Sequence, residues 1–309
     1  MFNFFRKKKF DRKIPKEYIH LINQKQYDTI LNLALQYFKE KGDEVLKLEN
    51  GLLTTKSEGD EEVRYGFDNL IRMMCPEPQE DWESILYRHF NTVNVSNDYL
   101  VYYKKDYEAA KPFLKVLIKD IAVLDDRLGG AVVSRVDFPG TCTVLVMDYD
   151  NQFRYLRKED IAEWEATEEE IFSVALENIG QEEVTINKVD HEGAIEMFVF
   201  LSGDFSAAQM IDLGKNAGFA IGKYGSIVAI PTKGTAFATP IDDDNVVGRL
   251  EVLADPVYKF FTEDPGNITL SIYWFYAGEI KQFVEKPSNR EGYVTIGIPE
   301  ELQALINEN

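Results

Sequence analysis

Between residues 167 and 285 one order of patterns occurs three times: an amphipathic helix, then two short apolar strands. The first unit couples a helix over 167–179 with "EVTINKV" and "AIEMFVFL". The second couples "DFSAAQMIDLGKNA" with "FAIGKYGSIVAIP" and "TAFATP", and the third couples "NVVGRLEVLADPVYKFFTED" with "NITLSIYWFY" and "EIKQFVE". Strands that come in pairs between turns build antiparallel sheets, whereas a doubly wound parallel sheet needs single strands alternating with helices. The repetition therefore predicts an α+β fold, with helices packed on antiparallel sheets. In the first helix Thr167 and Glu170 form a capping box, and Ile171, Phe172, Ala175, Leu176 and Ile179 make the buried stripe. In the third, Val246, Leu250, Leu253, Val257 and Phe260 face the core, and Pro256 predicts a kink or a split.

A chain of 309 residues is long enough for two domains. Its first part reads as a helix over 26–41, strands over 44–49, 52–56 and 62–67, and helices starting at Asp68 and Asp81. That unit ends near residue 95. A second opens with a helix around 106–119, followed by strands near 131–137, 142–149 and 152–156. The expected organisation is a basic flexible segment over 1–16, an N-terminal α+β domain over 17–100 and a C-terminal α+β domain over 101–309.

Charge narrows the partners. The net charge is −19, although residues 1–16 alone carry seven Lys/Arg against one Asp. An acidic body repels a phosphate backbone, so nucleic acid is an unexpected partner and a protein the expected one. The basic, Phe-rich residues 1–13 offer the one route to an anionic membrane surface, as a peripheral contact. No apolar run reaches the length of a membrane span and no apolar leader follows the basic start, which points to the cytoplasm. Cys75 and Cys142 read as reduced core residues.

Motifs for chemistry are sparse. His20, His89 and His191 have no metal-ligand spacing, and no G-x-S-x-G elbow is present. The glycines of "GKNAGFAIGKYGS" miss the phosphate-loop spacing, because Gly222-Lys223 is followed by Tyr224 and the first glycine position falls on Ala217. They read as turns. Asp148 and Asp150 in "VLVMDYDNQFRYL" resemble a D-x-D nucleophile pair, but Asp150-Asn151 between two apolar runs is hairpin chemistry. Asp242, Asp243 and Asp244 fit a calcium loop in neither frame, since Leu253 or Ala254 occupies the place of the bidentate Glu. They read as the start of the 246–262 helix. These five aspartates are the candidate metal ligands; otherwise the residues predict no catalytic or cofactor site.

From the hairpin "MDYDNQFRYL" and Trp164, through "EEEIFSVALENI", "GDFSAAQMI" and "SIVAIPTKGTAFAT", to "LSIYWFYAGEI", the chain resembles the YtpQ-like family of bacterial proteins. That family's function is unassigned, and the likeness spans about residues 131–285. It implies a bacterial, cytoplasmic α+β protein and transfers no catalytic residue. Asn178, at the end of the first repeat helix, is expected to cap the last carbonyls, to bond across to a neighbouring strand, or to touch a ligand. The reading that follows is a non-catalytic protein-interaction module of chaperone, adaptor or immunity type. Tyr273, Trp274 and Phe275, within the aromatic segment "SIYWFY" (271–276), are its candidate anchors, set against the plainer reading in which Ile272, Trp274 and Tyr276 face the core as ordinary strand packing. The alternative is a carboxylate–metal hydrolase built on Asp148, Asp150 and Asp242 to Asp244.

Overall fold

In a computed structural model of the chain, residues 9–56, 62–124, 131–149, 152–191, 195–264, 266–287 and 294–308 are described. They fall into two units, divided between Asn97 and Asp98.

In the first unit a short strand β1 (Lys9–Phe10) precedes helix α1 (Gln24–Lys41). Asn23 accepts from the Gln26 amide while the Gln26 side chain returns to the Asn23 N–H, and Gly42 ends the helix at φ 84°. Both devices satisfy backbone groups that a helix end leaves without partners. Strands β2 (Glu44–Glu49), β3 (Leu52–Lys56) and β4 (Glu62–Gly66) pair antiparallel in chain order, and β1 joins β2 in parallel. The pairing of β1 gives regular structure to part of a segment expected to be flexible throughout. Helix α2 (Asp68–Met74) follows, then α3 (Trp82–Tyr103), whose residues from Asp98 on belong to the second unit. The core is rich in rings: the Phe38 centroid lies 4.9 Å from that of Phe90 and 4.7 Å from that of Tyr65. Helix α3 continues to Tyr103, past the end expected near 95. Its extension, "NVSNDYLVYY", holds asparagines and β-branched residues of low helix propensity, so the sequence does not announce it.

The second unit corrects one expectation at once. The segment 106–119 is not one helix: a single turn, α4 (Tyr107–Ala110), passes into a 3₁₀ turn and then strand β5 (Leu114–Asp120). Pro112 removes a backbone donor, and β-branched Val116 and Ile118 favour the extended form. Strand β5 pairs with β7 (Thr141–Tyr149), which also pairs with β6 (Ser134–Arg135) and β8 (Gln152–Tyr155). Tyr149 stands opposite Gln152, as a tight hairpin requires; Asp150 and Asn151 lie outside the described residues. After the short turn α5 (Lys158–Ile161), helix α6 (Glu168–Ile179) opens on the expected Thr167–Glu170 capping box. It covers this sheet with Ile171, Phe172, Ala175 and Ile179, all buried.

The repeated units then build one sheet. Strands β9 (Thr185–His191) and β10 (Ile195–Leu201) form its first hairpin. Helix segments α7 (Ser206–Gln209) and α8 (Leu213–Ala217) follow, then β11 (Ser226–Thr232), β12 (Thr235–Pro240) and helix α9 (Val246–Glu263). Strands β13 (Ile272–Tyr276) and β14 (Glu279–Gln282) close the sheet, whose order is β14-β13-β11-β12-β10-β9 with every pairing antiparallel. A two-stranded ribbon, β15 (Val284–Pro287) with β16 (Val294–Gly297), leads to helix α10 (Glu300–Asn307). The helix expected over "DFSAAQMIDLGKNA" is broken at Asp212, whose φ of −120° is not helical; Gly214 and Asn216 weaken helix formation beyond it. Helix α9, by contrast, runs unbroken through Pro256.

Side-chain alternation sets three layers. Phe198, Phe200, Val228 and Phe275 pack on one face of the sheet against Ala207, Met210 and Leu213. Val199, Ile227, Phe237 and Trp274 pack on the other against Leu250, Leu253 and Val257 of α9 and Leu302 of α10. With both faces covered, a central strand such as β11 is buried at all its positions. Both cysteines are free thiols, Cys142 buried and Cys75 half-buried. Among the described residues no helix is long and apolar enough to cross a membrane. Residues 1–8 of the basic segment are not among them.

Candidate functional site

The acidic segments picked out by sequence stand apart. Asp148 Oδ2 accepts from Lys115 Nζ at 2.8 Å, and Lys115 also pairs with Glu182 at 2.5 Å. Lys115 and Asp148 are largely withdrawn from solvent, and Glu182 is half-buried. Burial pushes the Asp148 carboxyl above its ordinary value, and Lys115 only partly offsets it. Asp204, paired with Lys233 just before β12, adds to the negative field on Asp148. Asp242, Asp243 and Asp244 follow the opposite end of β12, a strand spanning roughly 20 Å at the usual rise per residue. There Asp242 accepts from the Lys223 amide at 2.7 Å, and Asp243 is held by buried Arg249 at 2.5 Å. The helix cap is Asn245, which accepts from the Gly248 amide. Among the described residues no three His, Cys, Asp or Glu side chains converge as metal ligands.

Two other polar features have structural partners. Asn178 donates to the carbonyls of Lys111 and Leu114, both at 2.8 Å, tying α6 to the entry of β5. Of its three expected roles, bonding across to a neighbouring segment is the one observed. Gly222 and Gly225 exchange backbone hydrogen bonds at 3.0 Å across a tight turn, which accounts for the glycines there.

Tyr273, Trp274 and Phe275 are buried, at 0%, 3% and 4% exposure. Tyr273 and Phe275 enter one core and Trp274 the other, and Tyr273 donates to the carbonyl of Pro139. None of the three stands on an exposed sheet face as an anchor. Trp274 nevertheless reaches the surface indirectly, because it floors a cavity.

That cavity, of about 330 Å³, lies between the β13–β14 hairpin and α10. Trp274 and Tyr276, two residues apart on one strand face, are stacked with centroids 5.3 Å apart and planes 9° from parallel. Trp274 donates its indole N–H to the Tyr224 carbonyl at 2.8 Å, which fixes the ring. Ala304 and Leu305 of α10 supply the opposite apolar wall. The polar lining is three carboxylates, Glu279, Glu301 and Glu308, against one ammonium, Lys281. Lys281 donates to Glu301 at 2.6 Å and lies 3.7 Å from Glu279. The contact with Lys281 holds Glu301 below the usual carboxylate range and Lys281 above the usual ammonium range, so both stay charged at neutral pH. The site is thus an aromatic and aliphatic floor under a rim of net negative charge. No family of proteins, no curated protein and no solved structure matches the chain.

Of these residues, the sequence singles out Trp274 and Tyr276, as alternating members of the aromatic segment 271–276. The available signal was "EELQALINEN" at the end of the chain, where Leu302, Leu305 and Ile306 fall on one helical face. Nothing local connects that helix to the hairpin at 272–282.

Proposed function

We propose that the protein is a non-catalytic interaction module of the bacterial cytoplasm, binding an arginine side chain from a basic segment of a protein partner. The observation that carries this reading is the cavity in which Trp274 and Tyr276 lie beneath Glu279, Glu301 and Glu308. A guanidinium stacks on aromatic faces and donates to carboxylates in one geometry, which a lysine ammonium does less well. The volume falls near the lower end of that of ligand pockets, fitting one side chain better than a cofactor. The overall charge of −19 would steer a cationic partner toward the site. The resemblance read in the sequence to the YtpQ-like family over 131–285 would imply a bacterial, intracellular setting and leaves the partner open. The hydrolase reading gains no comparable support, since Asp148 is engaged by Lys115 and Asp243 by Arg249.

Titration calorimetry with a short Arg/Gly peptide, against a Glu/Gly peptide of equal length, tests the reading. The Arg peptide should bind and the Glu peptide should not. Glu279→Lys with Glu308→Lys should weaken the Arg peptide at least about tenfold, or about 1.4 kcal/mol, and Tyr276→Ala should weaken it without changing the charge. Equal affinity in all variants would remove the cavity from the account.

A further inference from the structure

The six-stranded sheet ends on β9, which among the described residues pairs only with β10 and is exposed at all seven positions. An edge strand presents every second N–H and C=O outward, a template for another strand. Apolar surface accompanies this open edge. Val189 is 40% exposed and Ile186 36%, while Phe219, 60% exposed, stands edge-on to Phe198 at 5.2 Å. Phe198 is the residue opposite Lys188 in the ladder, so Phe219 overlies the sheet close to its open side.

Charge on β9 is arranged unevenly. Asp190 stands directly opposite Glu196 on β10, and Lys188 reaches diagonally to Glu196 at 2.5 Å. Like charges directly opposite one another destabilise a ladder. A cation on the outer side of Asp190 would relieve that pairing.

We propose that β9 is a self-pairing edge, joining two copies of this chain through an antiparallel β9–β9 ladder with its two-fold axis at Val189. The register follows from symmetry. Opposed residues in a ladder share a sheet face, so a two-fold perpendicular to the sheet must pass through a residue pair. An axis at Lys188 sets the two lysines against each other, and an axis at Asp190 does the same for two aspartates. At Val189 each Lys188 meets Asp190 of the second copy, twice over, and Asn187 meets His191. The same rotation keeps both Phe219 rings on one side of the joined sheet, where their exposed surface is covered together. A lone Lys188 would guard the edge against any strand; with Asp190 two residues on, the edge favours its own reverse.

Sedimentation velocity on the full chain, over a wide concentration range at physiological salt, tests this. The native chain should move to twice the monomer mass as concentration rises. Lys188→Asp alone and Asp190→Lys alone should each stay monomeric, because each sets like charges opposite one another. An equimolar mixture of the two variants should recover the doubled mass, since each then faces opposite charges. Both positions are exposed, and circular dichroism checks that the variants remain folded. A native chain that stays monomeric overturns the proposal. So does a dimer that survives in both single variants, which would put the interface elsewhere, or a mixture that fails to reassociate.

Discussion

Lys115 is held by two carboxylates, Asp148 and Glu182, with its ammonium 4.7 Å from the centre of the Phe205 ring. Its partners come from a strand and from the turn after α6, so the cation ties the smaller sheet to the helix that covers it. Removing the charge leaves carboxylates without their counter-ion, and burial already disfavours the ionised form of Asp148. Lys115→Met should therefore destabilise the fold by about 3 kcal/mol, the usual size for breaking a buried pair from one side. Chemical denaturation should show a lower midpoint with an unchanged slope. An unchanged midpoint would mean that water, not Lys115, compensates Asp148. This network was only half legible in the sequence. The hairpin reading of Asp148 follows from the turn chemistry beside it, but no spacing rule connects residues 115, 148 and 182. Reading Leu114–Asp120 as helix hid Lys115 altogether.

At the scale of elements, patterns that act locally were readable and those enforced by packing were not. The Thr167–Glu170 box and the paired apolar runs of β11 and β12 each depend on neighbours in sequence. The strand β5 depends on β7, which lies beside it only in the fold. The break of the second repeat helix at Asp212 likewise falls between Met210 and Leu213, which pack in one core with Phe198 and Phe200. Gly225 shows how such a contact sets residue type. Its φ is +88°, and an added Cβ would run into the Phe275 carbonyl oxygen and lie 2.9 Å from the Trp274 indole nitrogen. Gly225→Ala should thus force β11 from β13 and lower stability by more than about 1 kcal/mol. Because the added Cβ would crowd the Trp274 indole, the same change should shift tryptophan emission. A variant with native stability and emission would contradict the close approach.

For the whole molecule, the α+β class followed from repetition alone, and the three-layer arrangement follows once both faces of a strand such as β11 are apolar. The proposed binding site was least legible. It is assembled from a hairpin and a terminal helix, and its carboxylates look like ordinary solvated charge when read one at a time. The alternation of the aromatic segment 271–276 puts Trp274 and half-buried Tyr276 on one strand face, where they stack, but does not show that a cavity opens beside them. An acidic chain attracts basic peptides non-specifically, so affinity by itself does not locate the site. The chain has three tryptophans, Trp82, Trp164 and Trp274, of which only Trp274 borders the cavity. Following their indole N–H resonances while adding the Arg/Gly peptide tests the central claim most directly. The Trp274 signal should move in proportion to binding while those of Trp82 and Trp164 stay in place; binding that leaves the Trp274 signal unmoved would contradict an arginine site at this cavity.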